Sequence, residues 1–340
     1  MRAGILCLVV PAFCITSAFV AEATDCLSLY DYDNSKPPEV DQSFYSEDED
    51  MTTYKLTIHS TNQQLVPTLL SIPRKKGGPF PVIILLHGYG GDKEGAMEVA
   101  GPLAQYGYAC AAIDAQYHGE RQREGKDMYS ADTNETINAF VQTIVDVRRL
   151  IDHLETRTDV DGSQIGLAGG SMGGLLGAIA AGVEKRIDVP VLMVGGGNMQ
   201  ILVGQSQLGQ VQRIRAELER TGRTVGQVAM ELECIDPINF VDRISPRPLL
   251  MINGLKDDIV PTASNRALYA KAKEPKKIIW YNTGHDVPME KAARNAMFWF
   301  EKHLKHKFYL QTWFHLLIIV AVAVPVLLYI YRRTSSTKSQ

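Results

Sequence analysis

The chain has 340 residues, which is more than an ordinary domain but is compatible with one large α/β domain plus short additional segments. Hydrophobic residues make up 45% of it and charged residues 21%, so a disordered or collagen-like chain is excluded. The formal net charge of -3 provides no basic field for binding phosphates, and nucleic acid is therefore not an expected partner.

The first fifty residues predict a removable leader and a polar segment. An apolar run ends at Val20, and Ala21-Glu22-Ala23 follows it with the small-x-small pattern that signal peptidases cleave. We therefore interpret residues 1–23 as a signal peptide. Residues 24–50 are polar and acidic, and we expect them to form a solvated lead-in to the main domain.

The main domain is predicted over residues 51–307 and opens with a hairpin. After the hairpin, short apolar runs alternate with segments whose apolar residues recur at three- and four-residue spacing. This alternation predicts an α/β fold, with a mostly parallel sheet, helices on both faces and functional residues at the carboxyl ends of the strands. The predicted strands are Thr53–His59, Leu65–Ile72, Pro81–Leu86, Ala109–Asp114, Gln164–Ala168, Val189–Val194, Pro248–Asn253 and Lys277–Tyr281. The predicted helices are Lys93–Tyr106, Thr136–Leu154, Met172–Val183, Thr262–Lys273 and Pro288–His303.

One long insertion interrupts this alternation, at residues 198–244. It carries helical patterns near Gln210–Arg220 and Val225–Cys234, so we expect a small helical cap.

Three cysteines remain once the leader is removed, and an odd number cannot all pair. Cys110 lies in an apolar run typical of a core strand, whereas Cys26 and Cys234 could form a bridge only if the fold brings them together. No cysteine or histidine spacing resembles a zinc site, and no metal or other cofactor is expected.

The C-terminal region predicts a membrane span. Residues 308–331 carry no formal charge and show no polar helical face, which is typical of a transmembrane helix. Trp313 lies where interfacial aromatic residues are found, and Arg332 and Arg333 follow as a cytoplasmic stop signal. The main domain is then expected on the extracytoplasmic side, with residues 332–340 as a short cytoplasmic tail.

The segment Gly169-Gly170-Ser171-Met172-Gly173-Gly174 follows a predicted strand and opens a predicted helix. In this context the pattern G-x-S-x-G predicts a sharp, strained turn that exposes the serine hydroxyl as a nucleophile. Side chains at the flanking glycines would clash with the neighbouring strand and helix. Glycine-rich turns of this kind also bind phosphates, so the pattern needs support from other residues.

A serine nucleophile requires a histidine as base and a carboxylate that orients the histidine. Both follow Ser171 in the expected chain order: Asp257 comes three residues after Gly254 at the end of one predicted strand, and His285 comes after the next. Asp258 competes with Asp257 for the acid role. We favour Asp257, because Asp258 is placed to face solvent or to cap the next helix.

An oxyanion also requires backbone donors, which usually come from the residue after the nucleophile and from an early loop. Met172 is the first of these residues. The sequence His87-Gly88-Tyr89-Gly90-Gly91 ends a predicted strand, and Tyr89 is the second. His87 itself is expected to support this loop.

Taken together, these motifs resemble those of the α/β-hydrolase superfamily, and specifically of its dienelactone-hydrolase-like and acetyl-xylan-esterase-like serine hydrolases. The motifs HGYGG, IDAQYHGER, GGSMGG, INGLKDDIVP and NTGH occur in that family's order, over roughly residues 65–304. Typical dienelactone hydrolases have cysteine as the nucleophile, whereas this chain has Ser171. In IDAQYHGER, which looks like the family's pocket-side loop, His118 and Arg121 are candidate substrate-binding residues, although Arg121 could instead pair with a carboxylate.

The resulting hypothesis is a membrane-anchored serine hydrolase that cleaves small carboxylic esters through an acyl-enzyme. The same fold also occurs in prolyl-oligopeptidase-like peptidases, but these usually carry an accessory domain for which residues 24–60 are too few. A catalytically silent binding module is the third alternative, and such proteins typically lack one member of the Ser-His-Asp set.

Overall fold

The structure, a computed structural model, describes residues 25–304. A nine-stranded sheet forms the centre of this part of the chain. Its strands are β1 (Val40–Glu47), β2 (Met51–His59), β3 (Leu65–Pro73), β4 (Phe80–Leu86), β5 (Ala109–Ile113), β6 (Val160–Gly170), β7 (Ile187–Met193), β8 (Leu249–Gly254) and β9 (Lys276–Tyr281). The helices in the same residues are α1 (Lys93–Met97), α2 (Ala100–Gln105), α3 (Thr133–Leu154), α4 (Met172–Val183), α5 (Met199–Gln205), α6 (Gly209–Thr221), α7 (Val225–Glu231), α8 (Thr262–Lys271) and α9 (Met289–His303).

The strand order explains where a site can form. The sheet runs β1-β2-β3-β5-β4-β6-β7-β8-β9, antiparallel from β1 to β5 and parallel from β5 to β9. The chain enters the parallel part at β4 and then places β5 on one side of it and β6 on the other. Order reverses at β4, and in such sheets ligands bind at the carboxyl ends of the strands beside the reversal.

Helices cover both faces of the sheet, as predicted. One apolar cluster packs α3, α4 and α8 against the first face, with Phe140, Leu176 and Leu268 among its buried residues. A second cluster packs α1, α2 and α9 against the opposite face, around Leu103 and Phe300. Burial on both sides accounts for the almost uninterrupted apolar sequence of the central strands.

The predicted lead-in over residues 24–50 is mostly exposed where the structure describes it, but it is not separate from the main domain. Strand β1 pairs with β2 along its length, and Tyr30 is only 1% exposed. The Tyr30 ring packs edge-on against Phe240, and its hydroxyl donates to the Cys234 carbonyl over 2.7 Å. The side chains of β1 are almost all exposed, so main-chain hydrogen bonds hold this strand in the sheet. Its sequence therefore has no apolar periodicity from which a strand could be predicted.

Cys26 and Cys234, whose pairing the sequence left open, form a disulfide bond between positions 208 residues apart. In the chain-entropy model, closing a loop of that size lowers the entropy of the unfolded chain and thereby stabilises the folded state by about 5 kcal/mol. The bond ties the start of the described chain to the end of the helical insertion. Cys110 is a free, buried core residue as predicted, and burial raises the pKa of its thiol.

One predicted helix is divided in two. The segment Lys93–Tyr106 forms α1 and α2 because Pro102 has no amide hydrogen to donate to the carbonyl of Glu98, four residues earlier.

The helical insertion predicted at residues 198–244 is present and begins with α5, which the sequence did not predict. Helices α6 and α7 and three short 3₁₀ turns follow. The Asp236 carboxylate accepts hydrogen bonds from the amides of Asn198, at 2.8 Å, and Met199, at 2.6 Å. It thereby joins the two ends of the insertion, which we call the cap.

The predicted signal peptide at 1–23, the predicted span at 308–331 and the tail at 332–340 lie outside the described residues. Between residues 25 and 304, no helix has the length and apolar character needed to cross a membrane.

Candidate active site

Ser171 occupies a strained turn between β6 and α4. Its backbone angles are φ 54° and ψ -117°, a region that residues other than glycine rarely adopt. Its amide donates to the Met193 carbonyl of β7 over 2.9 Å, and its carbonyl accepts from the Gly174 and Leu175 amides. These hydrogen bonds hold the turn in place, as expected where a nucleophilic side chain must project away from the strand and helix on either side of it.

The glycines around Ser171 are required by close backbone packing. A Cβ atom on Gly173 would lie 2.2 Å from the Leu86 carbonyl oxygen, and one on Gly169 would lie 2.1 Å from the Gly173 carbonyl oxygen. Neither contact is possible without moving backbone. The clash predicted from the sequence is confirmed. The absence of side chains at these glycines allows the turn to pack directly against the end of β4.

The structure brings Ser171, His285 and Asp257 together. The His285 Nε2 atom lies 2.9 Å from Ser171 Oγ. On the other side of the ring, Nδ1 lies 2.9 Å and 3.0 Å from the two Asp257 carboxylate oxygens. Because an ionised carboxylate only accepts, Nδ1 carries a proton and donates it, which leaves Nε2 of a neutral ring free to accept from the serine hydroxyl.

Asp257 rather than Asp258 faces the histidine. Its side chain is fully buried and its Oδ1 accepts from the amides of Ile259, at 3.0 Å, and Val260, at 2.9 Å. Asp258 is exposed, and its carbonyl accepts from the Gln207 amide. The carboxylate of Asp257 is therefore fixed in position while its neighbour faces solvent.

Two backbone amides next to Ser171 are available to a ligand. The loop of residues 87–91 passes so close to Ser171 that a Cβ atom on Gly88 would lie 3.6 Å from the Ser171 Cβ. Within residues 25–304, neither the Tyr89 amide nor the Met172 amide donates to a protein acceptor. Met172 is also the first residue of α4, where the helix dipole favours negative charge.

His87 supports this loop, as predicted. Its Nε2 accepts from the Ala115 amide over 3.1 Å, so Nδ1 carries the proton and donates to the Gly88 carbonyl over 2.8 Å. Burial lowers the pKa of His87, which favours this neutral form. The ring thereby connects the loop after β4 to the end of β5.

Neither His118 nor Arg121, the two candidate substrate-binding residues, lines the cavity beside Ser171, and Arg121 instead pairs with a carboxylate, the alternative role given above. Arg121 is buried and its Nη1 lies 2.7 Å from the fully buried Asp146 carboxylate on α3. The His118 ring packs edge-on against Tyr89, and its Nδ1 donates to the Gln116 carbonyl over 2.9 Å. Both residues follow a strand end as predicted, but they turn into the protein and shape the loop.

A cavity lies between Ser171 and the cap. The centre of a water molecule can reach about 70 Å³ inside it. Its wall contains Tyr89, Ser171 and Met172, together with residues of α3, α4, the loop after Asp257 and all three cap helices. Sequence reasoning missed these cap residues, for which the only signal was apolar spacing within the insertion.

Asp127 is a second group that the sequence did not indicate. Its carboxylate accepts a hydrogen bond from the Tyr89 hydroxyl over 2.5 Å. This bond holds in place the side chain of Tyr89, whose backbone amide is one of the two available beside Ser171. Burial, followed by this hydrogen bond, raises the pKa of Tyr89. The hydroxyl therefore keeps its proton for Asp127.

Among the described residues, Cys26, Glu233 and Cys234 come nearest to a set of metal ligands. The two sulfur atoms are joined in the disulfide, so neither provides a thiolate.

The parallel sheet with its reversal at β4, the strained serine turn and a histidine after the last strand define an α/β hydrolase. The solved acetyl xylan esterase from Paenibacillus sp. R4 has this fold, with a TM-score of 0.70 and 23% identity over 82% of this chain and 92% of that one. The acetyl xylan esterase of Thermoanaerobacterium sp. JW/SL YS485 superimposes with a TM-score of 0.68 and 22% identity, over 81% of this chain and 90% of that one.

Sequence comparison identifies the family. The acetyl xylan esterase family model matches residues 38–304. The YitV protein of Bacillus subtilis strain 168, provisionally named an esterase, is 31% identical over 235 residues, or 66% of this chain and 89% of that protein. Esterase YjfP of Escherichia coli K12 is 24% identical over 64% of this chain and 86% of that protein. The chain belongs to the acetyl xylan esterase family and is a carboxylic ester hydrolase, which confirms that part of the prediction.

Proposed function

We propose that this esterase acts through a Ser171-His285-Asp257 triad and a covalent acyl-enzyme. The observation that carries the proposal is the 2.9 Å approach of His285 Nε2 to Ser171 Oγ, at a residue whose backbone is held in a strained conformation.

In the first half of the reaction, the Ser171 hydroxyl gives its proton to His285 Nε2 while Oγ bonds to the ester carbonyl carbon. Asp257 accepts from Nδ1 throughout and stabilises the imidazolium that forms. The carbonyl oxygen becomes an oxyanion, to which the Tyr89 and Met172 amides donate. When the tetrahedral intermediate collapses, the bond to the alcohol oxygen breaks, and His285 returns the proton to the departing alcohol.

In the second half, water replaces the alcohol. His285 takes a proton from the water as its oxygen bonds to the acyl carbon, and the same two amides stabilise the second oxyanion. Collapse breaks the bond to Ser171 Oγ, which regains its proton from His285. The carboxylic acid leaves, and every group returns to its starting state.

A pair of substrates tests this function against that of a peptidase. We expect the full chain, in detergent, to hydrolyse p-nitrophenyl butyrate and to leave aminoacyl and prolyl p-nitroanilides intact, because residues 25–304 form one sheet with its helices and cap, whereas peptidases with this fold usually carry a further accessory domain. Release of nitrophenolate and of nitroaniline is followed by absorbance. Faster cleavage of an anilide than of the ester would contradict the proposal.

We also propose that the enzyme is anchored to a membrane by residues 308–331, with its catalytic domain on the extracytoplasmic side. The support is the uncharged stretch followed by Arg332 and Arg333, and the predicted signal peptide. The Cys26–Cys234 disulfide favours an oxidising, extracytoplasmic compartment.

Carbonate extraction tests the anchor. The full chain is expected to stay in the membrane pellet at high pH, whereas a chain that ends at residue 307 is expected to be released. External protease added to intact cells or vesicles should leave the tail after Arg333 protected. Release of the full chain by carbonate would contradict the anchor, and digestion of the tail by external protease would contradict its orientation.

A further inference from the structure

The cavity beside Ser171 has an apolar wall along almost its whole length. Its cap residues include Met199, Leu202 and Val203 on α5, Ile214 on α6 and Val228 on α7. Among the described residues that line it there is no acid, base or side-chain amide. We propose that this cavity binds the acyl chain of the substrate, and that the chain is aliphatic with about four to eight carbons rather than an acetyl group. The inference rests on the proposed function of Ser171.

Several polar side chains in the wall are already engaged within the protein, whereas the hydroxyls of Ser171 and Tyr129 remain the polar groups that could face a ligand. Ser206 donates to the Ile259 carbonyl and accepts from the Leu208 amide. Thr136 donates to the Ser130 carbonyl and accepts from the Ser130 amide.

Two further hydroxyls in the wall are engaged in the same way. Ser130 Oγ accepts from the Asp132 amide, and the Tyr89 hydroxyl donates to Asp127. A sugar placed in the cavity would bury hydroxyl groups with too few partners, at a cost of several kcal/mol. An aliphatic chain loses no hydrogen bonds there and gains from leaving water.

The volume sets the length of the chain. The centre of a water molecule can reach about 70 Å³ within the cavity, which is enough for several groups of methylene size. An acetyl group has one methyl beyond its carbonyl and would leave most of this space unfilled. A palmitoyl chain is much longer than a cavity of this size can enclose.

The order of the reaction assigns the cavity to the acyl group rather than to the alcohol. The alcohol must leave before water can attack, whereas the acyl group stays bonded to Ser171 through both halves. Tyr89 and Met172, whose amides would hold the carbonyl oxygen, line the cavity together with Ser171, and the loop that carries Tyr89 passes beside Ser171. We therefore assign the cavity to the chain that extends from that carbonyl, and the solvent side of Ser171 to the alcohol and water.

A series of p-nitrophenyl esters from acetate to palmitate tests the inference on the full chain in detergent. Each methylene that enters the cavity is expected to raise kcat/KM about fourfold. Butanoate to octanoate should therefore exceed acetate by about tenfold or more, and laurate and palmitate should fall well below that maximum. A matched series of alkyl acetates, in which only the alcohol lengthens, is expected to show no such rise.

A filled cavity provides the second test. Val228→Phe replaces the valine side chain with a larger aromatic ring that fills part of the cavity. It is expected to lower the ratio of kcat/KM for hexanoate over acetate at least about tenfold. Met230→Phe, on the same helix but 67% exposed, is the matched control and should keep the wild-type ratio. As a measurement that needs no variant, hexanoate should inhibit the wild-type enzyme competitively at much lower concentration than acetate.

The outcomes separate this inference from the proposed function. A highest kcat/KM for acetate, or a length effect confined to the alcohol, would overturn the acyl-chain assignment even if Ser171 reacts. Stronger inhibition by acetate than by hexanoate would overturn it as well, whether or not the Val228 variant folds. Absence of ester hydrolysis throughout the series would instead remove the proposed function and the inference with it.

Discussion

Replacing Asp257 by asparagine is expected to lower kcat about 10⁴-fold. The two oxygens of Asp257 both face His285 Nδ1, and its Oδ1 also accepts two backbone amides. An asparagine held by the same amides can turn its NH₂ group toward the ring, which places the ring proton on Nε2 and removes the acceptor that Ser171 needs. The measurement is steady-state hydrolysis of p-nitrophenyl butyrate, with thermal unfolding to verify the fold.

Asp258→Asn is the matched control for that variant. It removes the same charge one residue later, at an exposed side chain that does not face His285, and should leave kcat within about twofold of wild type. If Asp258→Asn has the larger effect and Asp257→Asn retains activity, the assignment of the acid is wrong.

Ser171→Ala is expected to reduce kcat about 10⁴- to 10⁶-fold, since the acyl-enzyme cannot form without Oγ. The bonds that hold the turn come from the backbone of Ser171, and they are kept in the variant. The melting temperature should therefore stay close to that of wild type, so that the loss of activity reflects the missing nucleophile rather than unfolding. Residual rates are read over long incubations with p-nitrophenyl butyrate.

The control for the serine is Ser163→Ala, at the opposite end of β6 and exposed. It should have wild-type kcat. Unchanged hydrolysis by Ser171→Ala would show that another group attacks the ester.

The central strands and the position of Ser171 could be predicted because both have local causes. Central strands covered on both faces must be continuously apolar, and the serine turn needs glycines wherever backbone passes within van der Waals distance. The glycine requirement at residues 169 and 173 is visible in the contacts that a Cβ would make. His285 followed from chain order, since residues after adjacent parallel strands meet at one edge of the sheet.

Other elements depend on contacts that spacing does not encode. Strand β1 is held by main-chain pairing while its side chains face solvent, so its sequence has no apolar alternation. His118 and Arg121 follow a strand end, where functional residues are common, yet Asp146 on a distant helix binds the arginine and draws it into the protein. A partner 25 residues away in sequence gives no local signal.

Substrate preference was the least predictable feature for the same reason. The cavity wall combines three cap helices with α3 and α4, and α5 was not predicted at all. Apolar spacing in the cap was compatible with packing against the domain or with lining a cavity. Only the three-dimensional arrangement distinguishes Val228, which lines the cavity, from the exposed Met230 two residues later.

Covalent labelling with a fluorophosphonate probe is the most direct measurement on Ser171. The probe phosphonylates an activated serine, and peptide mass spectrometry locates the adduct. We predict one adduct, on the peptide that contains Ser171, its absence from Ser171→Ala, and full labelling of Ser163→Ala. An active enzyme that stays unlabelled, or that is labelled to the same extent after Ser171→Ala, would contradict the proposed mechanism.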